Sequence, residues 1–260
     1  MSRMARILSL AGLATLAMVP AAAEASASNQ PAVNVQQAAG TSAAAIQSAV
    51  DAYRADLGTL NPNNPGSVGS GRREINWDGV PAAQSSPNAF PPDFFNAPIA
   101  GRARGAVFDT PGSGFQVSGK APVAPIEFDN INPTYSSLFT TFSAPRLFTA
   151  VGSTVTNVRF FVPGSSTPAT TSGFGSVFTD VDRAGQTRIK YFDARNRPLA
   201  TFDVPASPGS ETLSFLGVRF LDDQVARVRI RSGNKALGPN ENPGRDLVVM
   251  DDFIYGEPTP

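Results

Sequence analysis

Residues 173–204 constrain the fold more than any other stretch, because three runs of extended pattern follow one another there with only short turns between them. Residues 176–182 alternate large apolar with small or polar side chains. The alternation resumes over 187–192 after a turn containing Gly185, and again over 199–204 after Asp193, Asn196 and Pro198. β-Branched and aromatic residues at a period of two, bounded by Gly, Asn, Asp and Pro, suit strands and their turns. The stretch therefore predicts an antiparallel meander. Segments on either side extend the pattern: 104–109 and 114–118 as a hairpin across 110–113, then 126–129, 138–142, 146–149, 157–162, 212–220, 225–231 and 247–255. Within 225–231, Arg227, Arg229 and Arg231 alternate with Ala226, Val228 and Ile230, which predicts one wet and one buried face. The expected fold is all-β, an antiparallel jelly-roll-like β-sandwich with one short N-terminal helix. A content of 23 Gly, 23 Pro and 18 Phe fits short strands, frequent turns and an aromatic core.

Residues 1–27 have the layout of a secretory signal peptide: a basic start at Arg3 and Arg6, an apolar run over 7–19, and small-residue cleavage sequences at 21–23 or 25–27. The apolar run is shorter than the roughly 20 residues a spanning helix needs, so export without a membrane span is expected, to a secreted, periplasmic or cell-surface location. Residues 28–71 read as a flexible segment carrying one helix. In 28–40 no period is sustained, whereas Ser42 offers an N-cap, Ile46, Val50, Tyr53 and Leu57 share a helical face, and Gly58 supplies the stop. The sandwich is expected over 72–256 as one domain, with 257–260 as a C-terminal stub. Residues 88–96, with Phe90, Phe94 and Phe95 around Pro91 and Pro92, read as an aromatic plug or an ordered crossing loop.

Composition removes whole classes of chemistry. Without cysteine there is no disulfide exchange, thiol catalysis or thiolate zinc site. Without histidine there is no Ser/His/Asp hydrolase and no ordinary transition-metal centre. With 21 basic and 21 acidic residues the net charge is zero, so no long-range field favours nucleic acid or an anionic membrane.

The remaining candidates are acidic and aromatic. Asp129, Asp180, Asp182, Asp251 and Asp252 form the candidate set for a calcium ion, a hard cation that takes six to eight oxygens. Strand alternation puts Asp180 and Asp182 on one face and allows only one of Asp251 and Asp252 into such a site. Solvated or salt-bridged carboxylates opposite the arginine row explain these residues equally well. Trp77 and Tyr135 are the candidate ligand-binding aromatics. A tryptophan in a sugar-binding sandwich stacks on a pyranose ring, while the competing reading places Trp77 in the core with its indole N–H satisfied. A glycosidase needs only two carboxyl groups, but Glu74, Glu127, Glu211 and Glu241 are scattered. Lys120, Lys190 and Lys235 occur without a Ser-x-x-Lys motif.

Taken in order, Gly173-Phe-Gly-Ser-Val-Phe, Tyr191-Phe-Asp, Phe215-Leu-Gly-Val, Ile230-Arg-Ser-Gly-Asn and Met250-Asp-Asp-Phe-Ile-Tyr-Gly resemble exported bacterial β-sandwich proteins of the PEP-CTERM-associated type. The resemblance covers roughly 126–256 and lacks the sorting tail. It implies a jelly-roll architecture and an extracellular setting, and names no catalytic residue. The expected function is non-catalytic binding of extracellular glycan or a surface component, with calcium as a structural ion. A structural envelope or matrix protein assembling through its edges and arginine row, and a secreted glycoside hydrolase, are the alternatives.

Overall fold

Alternating side chains pair into two sheets in the computed structural model, which describes residues 31–120, 126–221, 224–240 and 244–260. The signal sequence expected over 1–27 lies outside the described residues. The larger sheet runs in the order β1 (Val33–Gly40), β10 (Leu213–Phe220), β7 (Gly173–Thr179), β12 (Val249–Gly256), β5 (Phe148–Val151) and β4 (Gly114–Val117), with β2 (Arg72–Ile75) also on β12. The smaller sheet runs β3 (Ala106–Asp109), β6 (Val155–Phe160), β11 (Arg227–Arg231), β8 (Arg188–Phe192) and β9 (Pro198–Asp203). Every strand pairing is antiparallel. Side chains of both sheets meet in one core that includes Phe108, Val158, Phe174, Tyr191, Leu216, Val228, Ile230 and Phe253. The all-β sandwich expected from the alternation is therefore the fold.

Its connections differ from the expected ones. The runs read as one meander are divided, β7 lying in the larger sheet and β8 and β9 forming a hairpin in the smaller. The expected hairpin across 110–113 is likewise a crossing, because β3 pairs with β6 while β4 pairs with β5. Thr110 anchors this crossing by donating its hydroxyl to the Val155 carbonyl at 2.7 Å. Residues 126–129 form a turn in which Glu127 and Phe128 have positive φ, and most of 138–142 is irregular, preceded by a 3₁₀ turn over Tyr135–Ser137.

Both ends of the described chain also pack more tightly than expected. Within the segment read as a flexible tail, β1 pairs along its whole length with β10, and Val33 and Val35 pack on the core. At the other end, Glu257 is buried against Arg73, with Arg73 Nε to Glu257 Oε2 at 2.6 Å and Nη2 to Oε1 at 2.8 Å. Thr259 exchanges backbone hydrogen bonds with Thr170. Residues 257–260 are thus sewn into the fold rather than appended as a stub.

Helix α1 (Ala43–Leu57) starts after Ser42 and stops at Gly58, whose φ of 96° suits glycine. Its buried residues are the four expected, Ile46, Val50, Tyr53 and Leu57. They pack against Val177, Leu213, Phe215 and Ile254 on the outer side of the larger sheet. This explains why β10 is apolar on both faces: Leu216, Val218 and Phe220 point into the sandwich and Leu213 and Phe215 lie under the helix. Bare backbone at Gly217 admits the Tyr53 ring, where a Cβ would fall 2.5 Å from it, and the Tyr53 hydroxyl donates to the Val218 carbonyl at 3.1 Å. One sheet is covered outside and the other is open.

Candidate functional site

Neither aromatic candidate is available to a ligand. Trp77 is fully buried, stacked on Phe148 at 4.0 Å between centroids and met edge-on by Phe90, Phe95 and Phe253. Its Nε1 donates to the Asp251 carbonyl at 2.9 Å, so the core reading holds. The crossing loop at 88–96 supplies part of this aromatic cluster, as its composition suggested. Tyr135 is fully buried too, its hydroxyl donating to the Gly238 carbonyl at 2.9 Å and accepting from the Gly238 N–H at 3.0 Å. Burial of these rings is worth more to the apolar core than exposure to a sugar face.

The aspartates fall in separate places. Asp129 lies in the 126–132 turn, where its N–H donates to the Ile126 carbonyl at 2.9 Å. Strand β7 ends at Thr179 and Asp180 has a φ of 67°, so no alternation carries Asp180 and Asp182 onto one face. Asp182 instead accepts the Gly209 N–H at 2.7 Å and donates its own N–H to buried Asp246. Among the described residues, no group of three or more His, Cys, Asp and Glu converges in a metal-holding arrangement.

Asp251 and Asp252 do come together, against the alternation rule. The register of β12 on β7 shifts between Met250 and Phe253, a β-bulge whose extra residue re-aims a side chain. It sits where the other edge of β12 changes partner, from β5 at Met250 to β2 at Phe253. Asp251 Oδ2 accepts the N–H groups of Phe142 and Ser143 at 2.7 and 3.1 Å. The Ser143 hydroxyl lies 2.6 Å from Asp252 Oδ1 and 3.3 Å from Asp251 Oδ1, and its single proton goes to the nearer oxygen. Burial first, and then the charge of Asp252, push Asp251 well above the usual carboxylate range. Burial also raises Asp252, against the pull of the Ser143 hydroxyl, Asp251 and Arg54. Beside this pair, a cleft of about 500 Å³ opens between α1 and β2. Its charges are mutually spent: Arg54 grips Glu74 through Nε and Nη2, both at 3.0 Å, and reaches Asp252 at 3.5 Å.

The smaller sheet's outer face carries charges that are not spent in this way. Its outward positions form cross-strand rows, Asp109–Asn157–Arg229–Lys190 and Val107–Arg159–Arg227–Phe192. A groove of about 730 Å³ follows these rows, and a recess of about 370 Å³ continues it past Thr110 and Pro111. At its centre, Asn157 Oδ1 accepts from Arg229 Nε at 2.9 Å and Arg227 Nη1 at 3.0 Å, while Asn157 Nδ2 donates to Asp109 Oδ1 at 2.7 Å. Asp109 Oδ2 pairs with Arg159 Nε at 3.0 Å. The Arg227 guanidinium lies 3.7 Å above the centroid of Phe192, a cation–π contact that holds it flat on the sheet. Burial, and then the charges of Arg229 and Arg159, draw Arg227 below its ordinary value, with Asp109 opposing them. Asp193 at the rim is raised by what burial it has, but the N–H and guanidinium of Arg197 hold it below the ordinary range. The groove presents fixed donors and acceptors on a rigid sheet, the equipment for binding hydroxyls and anions.

Sequence reasoning found the outward arginines of β11 and missed Asp109, Asn157, Arg159 and Phe192. The signal was present in Asn157-Val-Arg159-Phe, which has the same period of two, but which strand lies beside β11 is a property of topology. Comparison of the chain with known protein families found no match, and comparison with curated proteins found none either.

Proposed function

We propose that this chain is an exported, non-catalytic β-sandwich protein that binds extracellular glycan along the outer face of the smaller sheet. The observation that carries the reading is the groove: an open channel on a rigid sheet, with Asn157, Arg227 and Arg229 locked in one hydrogen-bonded set and Phe192 beneath. Such a surface meets sugar hydroxyls with preorganised partners and loses little side-chain entropy on binding. The covered outer face of the larger sheet, where α1 packs, leaves the smaller sheet as the open face of the sandwich. Export rests on the signal-like leader and on the resemblance of residues 126–256 to exported sandwich proteins.

Affinity electrophoresis through gels containing neutral and acidic polysaccharides tests it. Retention by at least one glycan, reduced to that of a reference protein by Asn157→Ala with Arg227→Ala, is the expected result. Unretarded migration in every gel removes the reading, and a mass that rises with concentration in light scattering favours an assembly role instead.

A further inference from the structure

We infer that the glycan held in this groove is acidic, a sugar chain whose carboxylate or sulfate group seats on the guanidinium edges of Arg229 and Arg159. The inference rests on the glycan-binding reading above. The chain is neutral overall, yet its outer rows on the smaller sheet are unbalanced. Arg159, Arg188, Lys190, Arg227, Arg229 and Arg231 share that face with Asp109 and Asp203. Asp109 pairs with Arg159, Asp203 lies 3.7 Å from Arg188 at the far edge, and Asp193 at the rim is taken by Arg197 at 2.7 Å. Among the described residues, Lys190, Arg227, Arg229 and Arg231 have no carboxylate partner.

The open donors are also placed. Arg229 commits Nε to Asn157 and Arg159 commits Nε to Asp109, and among the described residues neither arginine's Nη groups meet a hydrogen-bond partner. A guanidinium edge of this kind takes a planar oxyanion through two parallel N–H bonds. One amide oxygen, that of Asn157, holds Arg227 and Arg229 side by side although their charges repel, so a bound anion relieves a repulsion already built into the free protein. A sugar chain suits the groove better than a nucleic acid strand. Each unit of an acidic sugar chain brings several hydroxyl groups beside its one acid group, and the carboxylates of Asp109 and Asp193 beside the arginines accept such hydroxyls, which a run of backbone phosphates does not offer.

The test measures binding of the purified chain to polygalacturonate, its fully methyl-esterified form, a sulfated galactan, a neutral glucan and single-stranded DNA, at low and physiological salt. Binding to the carboxylated or the sulfated chain is expected, the tighter of the two naming the preferred group. Neutral glucan or methyl ester should bind at least tenfold more weakly. Arg229→Ala should cost at least tenfold, and Arg229→Lys should restore only part, because charge returns without the fork. Arg229 is exposed, and an unchanged melting curve confirms that both variants fold. Equal affinity for acid and ester, or for neutral glucan, overturns the acidic preference while glycan binding stands. Failure of every polysaccharide to bind removes both readings. DNA binding as tight as the best polysaccharide overturns the choice of a sugar chain.

Discussion

Arg73 is an arginine with no access to water, and its position is sustained by a full set of acceptors. Glu257 takes two of its N–H groups, and the carbonyls of Ala103 and Gly66 take others at 2.5 and 3.1 Å. Glu257 in turn accepts the Asn61 amide at 2.9 Å and the Val68 N–H at 3.1 Å, so one carboxylate fixes the 58–71 loop as well. Removing one partner of such a pair strands a buried charge, which costs about 3–5 kcal/mol. Glu257→Ala should therefore lower the urea midpoint by that equivalent, with the melting temperature falling by roughly 6–20 °C for a domain of this size; a loss under 1 kcal/mol would show Arg73 finding water. At this scale the sequence was legible where one residue faces one way, as with the apolar face of α1. It was misleading at Asp251 and Asp252, where two consecutive polar residues between Met250 and Phe253 break the period of two. That break is itself the mark of a bulge.

Among the elements, α1 against β7 and β10 shows most plainly how sequence and packing depend on each other. Gly173, Gly175 and Gly217 leave a bare strip of backbone, and Tyr53 lies on it. A Cβ at Gly217 cannot be accommodated without moving the ring, and overpacking of this kind costs roughly 1–3 kcal/mol. Gly217→Ala should destabilise by that amount in chemical denaturation, and Tyr53→Ala in the same chain should recover part of it. A double-mutant cycle with no coupling would show that the strip serves something other than the helix. Strand positions were largely readable, because Gly and Pro mark their ends. Partners were not: neighbours in sequence pair in about two-thirds of cases, and here β3 and β4, and β7 and β8, fall in opposite sheets. Nothing in the turn residues 110–113 distinguishes a hairpin from a crossing. Strand β1 was missed because Asn34, Gln36 and Gln37 dilute its composition, although Val33 and Val35 already alternate with them.

For the whole molecule, several buried carboxyl groups tie stability to pH with an unusual sign. Burial, and then the charge of Asp252, raise Asp78 to about 6; burial, and then Glu211, raise Glu127 to about 7. Asp246, Asp251 and Asp252 are raised as well, burial being the largest cause in each. A carboxyl group whose folded pKa exceeds its unfolded value stabilises the fold while protonated, and that contribution is lost as pH rises through the folded pKa. The melting temperature should be higher near pH 5 than near pH 8, the decline from these two groups running from the unfolded carboxyl value of about 4 up to their folded values of about 6 and 7, and Asp78→Asn should flatten it. A melting temperature that climbs from pH 5 to 8 would refute this.

Strand β12 pairs with β7 along one edge and with β2 and β5 along the other, and without it the larger sheet falls into three unconnected parts, β1–β10–β7, β5–β4 and a lone β2. It is the last strand in the order of the chain. Domains fold as their residues emerge during synthesis, so a growing chain of this protein has no complete larger sheet to settle into until residues 249–256 have left the ribosome. Until then the strands on either side of β12 have nothing to join them. For the export proposed here, an unclosed larger sheet is the part of the fold that a translocation channel meets before its last strand is in place.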